Sequence, residues 1–103
     1  MPNFMKMMKQ AASMQKEMER IQGELAQKTV EFSSGGGMVK AIARGDGSLA
    51  GLRIDPRVVN PSEVDMLEDL VTAAVDGALR AAKEMAAQEL GKVTAGLGIP
   101  GLG

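Results

Sequence analysis

The chain has 103 residues, 12 basic against 13 acidic, for a formal net charge of −1. That leaves room for one small core and no overall charge field that by itself announces nucleic acid. Cysteine, histidine, tryptophan and tyrosine are all absent, which excludes disulfides, thiol chemistry, the usual zinc sites, His-based triads and the aromatic platforms that hold single strands.

The opening MPNFMKMMKQ is broken by Lys6 and Lys9, so it reads neither as a secretory leader nor as a membrane span. From Phe4 the apolar residues fall at Phe4, Met7, Ala11, Met14, Met18, Ile21 and Leu25. That 3-4-3-4 spacing predicts a long first helix with one apolar stripe, in which flexible methionine thioethers fill an uneven interface. Two positions after each stripe member come Lys6, Lys9, Ser13, Lys16, Arg20, Gly23 and Gln27. Four of these seven are basic, so a cationic ridge runs along the outer face. Glu17, Glu19 and Glu24 flank it, and a solvated face laced with local ion pairs is the plainer reading.

From Thr29 the period changes to two, giving a first strand over Thr29–Phe32. Ser33 to Gly37 breaks the run, and Met38–Arg44 is a second strand with Val39, Ala41 and Ala43 on one side and Lys40, Ile42 and Arg44 on the other. The following GDGS predicts a tight type I′ reversal with positive φ at Asp46 and Gly47. Ala50, Leu52 and Ile54 then mark a third strand, ended by Asp55-Pro56.

The run Asn60-Pro61-Ser62-Glu63 reads as a helix cap, a first-turn proline and a reciprocating glutamate. A second long helix is expected from there to about Gly91, with Val64, Leu67, Val71, Ala74, Ala78, Ala82 and Met85 on its apolar face and alanines that imply close approach of another element. Residues 1–92 form a single α-βββ-α domain on this reading, and the glycine-alternating residues 93–103 a flexible tail.

Charge is uneven along this order. Residues 1–28 carry five basic and three acidic side chains, residues 29–60 four and three, and residues 61–90 two and seven. Much of the acid opens the second helix, at Glu63, Asp65, Glu68 and Asp69, where carboxylates complement the helix dipole without any metal.

Chemical alternatives fail on spacing. A phosphate loop needs a second glycine followed by Lys and Ser or Thr, then a helix, and GGGMVK has neither the pair nor the helix. Gly45, Gly47 and Gly51 miss the dinucleotide spacing and run into strand. Gly35, Gly36 and Gly37 are therefore a strand connection, and Arg44-Gly45-Asp46 is a hairpin tip rather than an adhesion motif. No pair of convergent groups with separated proton affinities is foreshadowed, so no catalytic, metal or cofactor residue is assigned.

The order helix, three strands, helix, with LAQKTVEFSSGGGMVKAIARGDGSLAGLRIDP, DMLEDLVTAAVDGALRAAKE and the closing TAGLGIPGLG, resembles the bacterial YbaB/EbfC family of nucleoid-associated proteins. The resemblance implies an α+β protein whose three-stranded antiparallel sheet joins a partner's in a homodimer, while long helices project like tweezers to grip double-stranded DNA. It also implies a cytoplasmic, nucleoid-located protein that organises DNA with weak sequence preference and influences gene expression, with no membrane, small-molecule substrate or cofactor.

The family's motifs do not specify the DNA contacts, so these rest on the basic ridge: Lys6, Lys9, Lys16 and Arg20. Arg80 and Lys83, late on the second helix, either extend that surface or balance Asp76 and Glu84. The rival reading is a non-enzymatic adaptor whose Met-lined helix recruits a recombination or repair factor.

Overall fold

A computed structural model describes residues 3–96 of the chain. The order is α1 (Phe4–Leu25), β1 (Thr29–Ser34), a short 3-10 turn at Gly35–Gly37, β2 (Val39–Arg44), β3 (Leu49–Ile54), a second 3-10 turn at Pro56–Val58, and α2 (Val64–Gly96). The strands form one antiparallel sheet in the order β1-β2-β3. Two long helices around a small antiparallel sheet make the α+β architecture that the periodicities predict.

α1 starts where Asn3 caps it, its side-chain oxygen accepting from the Lys6 backbone N–H at 3.1 Å and so satisfying one of the free donors of the first turn. α2 starts later than its sequence suggests. Asn60 accepts from the Ser62 N–H and hydroxyl at 3.0 and 2.8 Å, while the Glu63 N–H donates to the Asn60 carbonyl. The asparagine thus closes a turn of its own instead of capping the helix, and the helix opens at Val64. At the other end α2 passes Gly91 and continues to Gly96. A glycine costs a helix only about 1 kcal/mol, and packing of the same stretch against α1 offsets it. Residues 97–103, most of the expected tail, lie outside the described residues.

Both hairpin connections depend on glycine. Gly35, Gly36 and Gly37 have φ of 59, 66 and 92°, a left-handed run that side chains resist. At the second hairpin Gly47 alone is positive, at 91°, and Asp46 is not. The Gly47 N–H donates to the Arg44 carbonyl at 2.9 Å and the Arg44 N–H to the Ser48 carbonyl at 2.7 Å. The reversal is therefore a type I turn closed by a left-handed glycine, not the type I′ pair, and Asp46 is held by accepting from the Ser48 N–H and hydroxyl. Such a turn carries its extra residue at Gly47 itself. Farther along, Ala43 pairs with Leu49 and Ile42 with Gly51, leaving Ala50 as a separate bulge, and the strand begins one residue earlier than the alternation suggests.

The core is one layer of β2 against α2. Val39, Ala41 and Ala43 interleave with Ala74, Ala78 and Ala82, all six without exposed surface, and Val30, Leu67, Leu70 and Val71 pack around them. Alanines at four-residue spacing let the helix axis lie close to the pleat. Phe32 lies over α2 at Gly77, where a Cβ would overlap its ring, and stays half exposed. Ser34 donates to the Leu70 carbonyl at 2.6 Å, tying the end of β1 to the helix.

α2 packs chiefly on β1 and β2. Leu49, Leu52 and Ile54, paired with core residues of β2, remain exposed at the sheet edge. α1 is covered only at its root. Ile21 and Leu25 are 3 and 4% exposed, whereas Phe4 and Met7 are 71 and 58% exposed. The stripe is present as predicted, but Phe4, Met7, Ala11 and Met14 stay exposed among the described residues. The molecule measures 73 × 24 × 16 Å, with a radius of gyration of 19.8 Å against about 13 Å for a compact chain of this length.

Candidate nucleic-acid interface

α1 is rooted where its last turn meets the second hairpin. The Gly45 N–H donates to the Lys28 carbonyl at 3.0 Å, and the site of a Cβ on Gly45 lies 2.8 Å from both Leu25 Cδ2 and the Leu25 carbonyl oxygen. A second tie joins the α1–β1 connection to α2: Lys28 Nζ lies 3.3 Å from Glu89 Oε1, which also receives Lys92 at 3.4 Å. These two cations hold the Glu89 carboxyl below the usual carboxylate range. Ile21 sits with Glu89 and Val93, and Leu25 with Ala86 and Leu90, so the helices run antiparallel through α1's last two turns.

Beyond that root the first four turns of α1 form an exposed arm. Lys6, Lys9 and Lys16 are on it, and none has a carboxylate within salt-bridge distance among the described residues. From Lys6 to Lys16 the arm extends about 15 Å at 1.5 Å per residue. Three uncompensated ammonium groups along that length form a linear cationic track on a helix free of acidic residues before Glu17.

The other three basic residues singled out in the sequence differ from these. Arg20 is clasped by two carboxylates, Glu17 at 2.7 Å and Glu24 at 2.7 Å. Its proton affinity is raised by both, and the Glu17 carboxyl is lowered in return. The i−3 and i+4 spacing of these glutamates is the signal, visible in the sequence, that Arg20 is internally neutralised. Arg80 likewise pairs with Asp76 at 2.9 Å. Lys83 makes no salt bridge among the described residues, but it lies beside the Gly45–Gly47 hairpin with Leu79 and Ala86, at the arm's root rather than along it. The structure therefore brings Lys6, Lys9 and Lys16 into one track and sets Arg80 and Lys83 apart from it.

The sheet carries cations of its own, and Arg44, Arg53 and Arg57 are the sequence's next candidates after the α1 ridge. Lys40 and Arg53 are cross-strand partners, and Arg44 lies four residues along β2 on the same side. The alternation Lys40, Ile42, Arg44 carried that signal. Arg57, by contrast, is absorbed by Asp55 at 2.8 Å, whose carboxyl falls to about 2.

Among the described residues no three His, Cys, Asp or Glu side chains converge as a metal site, and no buried polar side-chain atom lacks a partner. No described helix is long and apolar enough to cross a membrane. An elongated α+β chain with a cationic helical arm belongs with proteins that present charge to an extended surface.

Comparison with known proteins gives that class its family. The profile of the YbaB/EbfC DNA-binding family matches residues 1–97, and the chain belongs to that family. It is 55% identical over 100 residues to a nucleoid-associated protein of Thermoanaerobacter pseudethanolicus, covering 97% of this chain and 90% of the relative. A nucleoid-associated protein of Alkaliphilus metalliredigens is 48% identical over 101 residues, covering 98 and 89%. The crystal structure of an uncharacterized protein from Helicobacter pylori shares the fold, with a TM-score of 0.77 at 22% identity over 85% of this chain and 92% of that one. The protein is thus a nucleoid-associated DNA-binding protein by family.

Proposed function

We propose that the protein acts as a homodimer that binds double-stranded DNA with weak sequence preference, organises the nucleoid within the bacterial cytoplasm and influences gene expression without catalysing a reaction. The observation that carries the DNA contact is the unpaired track Lys6, Lys9 and Lys16 on the projecting arm of α1. Ammonium groups on flexible stems meet phosphates as point charges, which positions a duplex without reading its bases. With a net charge of −1, attraction must come from local concentration of charge, and a thin arm supplies it. Arg20, Arg80 and Lys83 are secondary contacts, the two arginines being partly neutralised by their own carboxylates.

Dimerisation is supported by the uncovered side of β3. Leu49, Leu52 and Ile54 are exposed beside the core, and β3 is an edge with unpaired backbone groups. A second copy adding its own β3 would satisfy the edge and bury the leucines at once. Light scattering at micromolar concentration is expected to give twice the chain mass; a monomeric mass overturns the dimer.

The DNA contact is tested by titrating duplex binding against salt for the native chain and a Lys9→Gln, Lys16→Gln variant. Log affinity should fall steeply with log salt for the native chain, and the variant slope should be flatter by about one for each lost contact. Glutamine keeps helix propensity, so the fold is retained. An unchanged slope removes these lysines from the interface. No duplex binding by the native dimer at low salt overturns the function and favours the adaptor reading, which the exposed Phe4, Met5, Met7 and Met8 support; a pull-down that survives nuclease treatment is that reading's mark.

A further inference from the structure

The sheet has two unlike faces. One packs on α2. Among the described residues no helix packs mainly over the other, which carries Thr29, Glu31 and Ser33 from β1, Lys40, Ile42 and Arg44 from β2, and Gly51 and Arg53 from β3. Three of these eight residues are cationic, and Glu31 is the one acidic residue in any strand.

The charge is available. Arg53 is exposed with no carboxylate in reach among the described residues. The Arg44 side chain donates to the Ser48 hydroxyl and the Leu49 carbonyl, both at 3.3 Å, and makes no salt bridge among the described residues. After the Ser48 hydrogen bonds, its charge also helps hold the Asp46 carboxyl low. Lys40 meets Glu31 at a loose 3.6 Å, with 41 and 56% of the two side chains exposed, a pairing worth little in water. The nearby acids are engaged elsewhere: Asp46 by Ser48 and Asp55 by Arg57.

The shape also suits an extended polyanion. Gly51 leaves the centre of the face low beside Ile42, and among the described residues a Cβ on Gly51 would meet only Ile42 Cδ1 at 3.7 Å. Arg44 stands about 13 Å along the strand from the Lys40 and Arg53 pair at 3.3 Å per residue, close to the major-groove width of about 12 Å. Serine and threonine hydroxyls at Ser33 and Thr29 add donors suited to phosphate oxygens. The acid-rich α2 lies behind the sheet, so the molecule is polarised with its cations outward on this side.

We infer that this outer sheet face, through Lys40, Arg44 and Arg53, is a second phosphate-binding surface for duplex DNA, distinct from the α1 arm. The inference rests on the DNA-binding reading above. It is compatible with dimerisation at β3, because the apolar side chains that drive association point to the α2 side and leave the cationic face open and doubled in area.

The test compares the full-length native chain with a Lys40→Gln, Arg53→Gln variant and a Glu31→Gln variant in salt titrations on a random-sequence duplex, each checked for a native melting curve. Arg44 is left intact because it also braces the hairpin. Losing two contacts per chain, four per dimer, should flatten the salt slope by up to about four, so that between 50 and 200 mM salt the native dimer loses up to about a hundred-fold more affinity than the variant. Glu31→Gln should act oppositely, tightening binding at low salt and steepening the slope by up to about two, which a purely structural role of this face would not produce. If the Lys9→Gln, Lys16→Gln variant flattens the slope while both sheet variants match the native chain, the sheet surface is overturned and the arm stands. If the native chain shows no salt-dependent duplex binding, the DNA-binding reading fails and this surface with it.

Discussion

The layer formed by the sheet and α2 and the arm formed by α1 use similar helical periodicity to opposite ends. On α2 the stripe is mostly alanine in its middle, and Ala74, Ala78 and Ala82 are completely enclosed against Val39, Ala41 and Ala43. On α1 the stripe is built of larger side chains, Phe4, Met7 and Met14, and all three are exposed. Larger apolar residues would by themselves argue for deeper burial. The contrast teaches that a stripe's apolar content says a surface seeks cover, while its side-chain size says how closely the cover approaches. Small residues can be buried only by an element lying almost against the backbone, which a sheet in the same chain provides. Long thioethers suit a looser, adaptable contact, which no element of the described chain supplies.

The largest effect should come from making the same change in the two regions. Ala78→Leu forces extra methylenes into a space with no exposed surface, and overpacking of this kind costs about 1–3 kcal/mol. At about 4–8 °C per kcal/mol for a domain of this size, the melting temperature should fall by several degrees or more. Ala11→Leu adds the same atoms to an exposed stretch of α1 and should stay within about 0.5 kcal/mol of the native chain. Equal losses at both positions in parallel thermal melts would show that the arm is as tightly covered as the core.

A smaller, local effect is expected where the two regions join. Gly45→Ala places a Cβ 2.8 Å from the Leu25 carbonyl oxygen, and backbone cannot swing aside as a side-chain tip can. The root of α1 should loosen while the β2 and α2 core stays intact. Hydrogen exchange should accelerate over Ile21–Lys28 and remain slow at Val39–Ala43; protection unchanged in both segments would show that the hairpin does not anchor the arm.

Much of this organisation is legible in the sequence because it depends on near neighbours. The helical stripe of α1, the switch to period two at Thr29 and the glycine triplet each report a local conformational preference, and the elements appear where these preferences place them. The misses involve choices between competing local bonds or contacts made at long range. Asn60 has both a helix to cap and a turn to close, and its bonds to Ser62 decide for the turn. Asp-Gly permits two kinds of reversal, and the one formed leaves the positive φ to Gly47 alone. Gly91 signals a stop, yet α2 continues because residues on either side of it pack on α1, a contact no local pattern reveals. In the candidate interface, the ridge spacing put Arg20 beside the lysines. The glutamates three residues before and four after it, which neutralise it, were equally readable.

The smallest expected effect sharpens the comparison through acid. Asp55 and Glu89 both have carboxyls held low by cations, but they couple different things. Asp55 binds Arg57 within a single turn, whereas Glu89 binds Lys28 across 61 residues and so links the arm to α2. A carboxyl whose folded affinity for protons is depressed contributes stability that is present above its unfolded value and lost as pH falls through the folded one. For Glu89 that loss begins as pH drops below about 4.5, the ordinary value for a glutamate. For Asp55 it continues down to about 2. Acidification should therefore release the root of α1 before it opens the Asp55 turn. Hydrogen exchange cannot follow this easily, since its intrinsic rate changes with pH, so a distance probe between the α1 arm and α2 is the better measurement. In the native chain the distance distribution should broaden as pH falls below about 4.5, and a Glu89→Gln variant should be broad already at neutral pH and change less on acidification. A native distribution that stays narrow below that range, or a variant indistinguishable from native at pH 7, would show that Leu25 against Gly45 holds the arm without help from the ion pair.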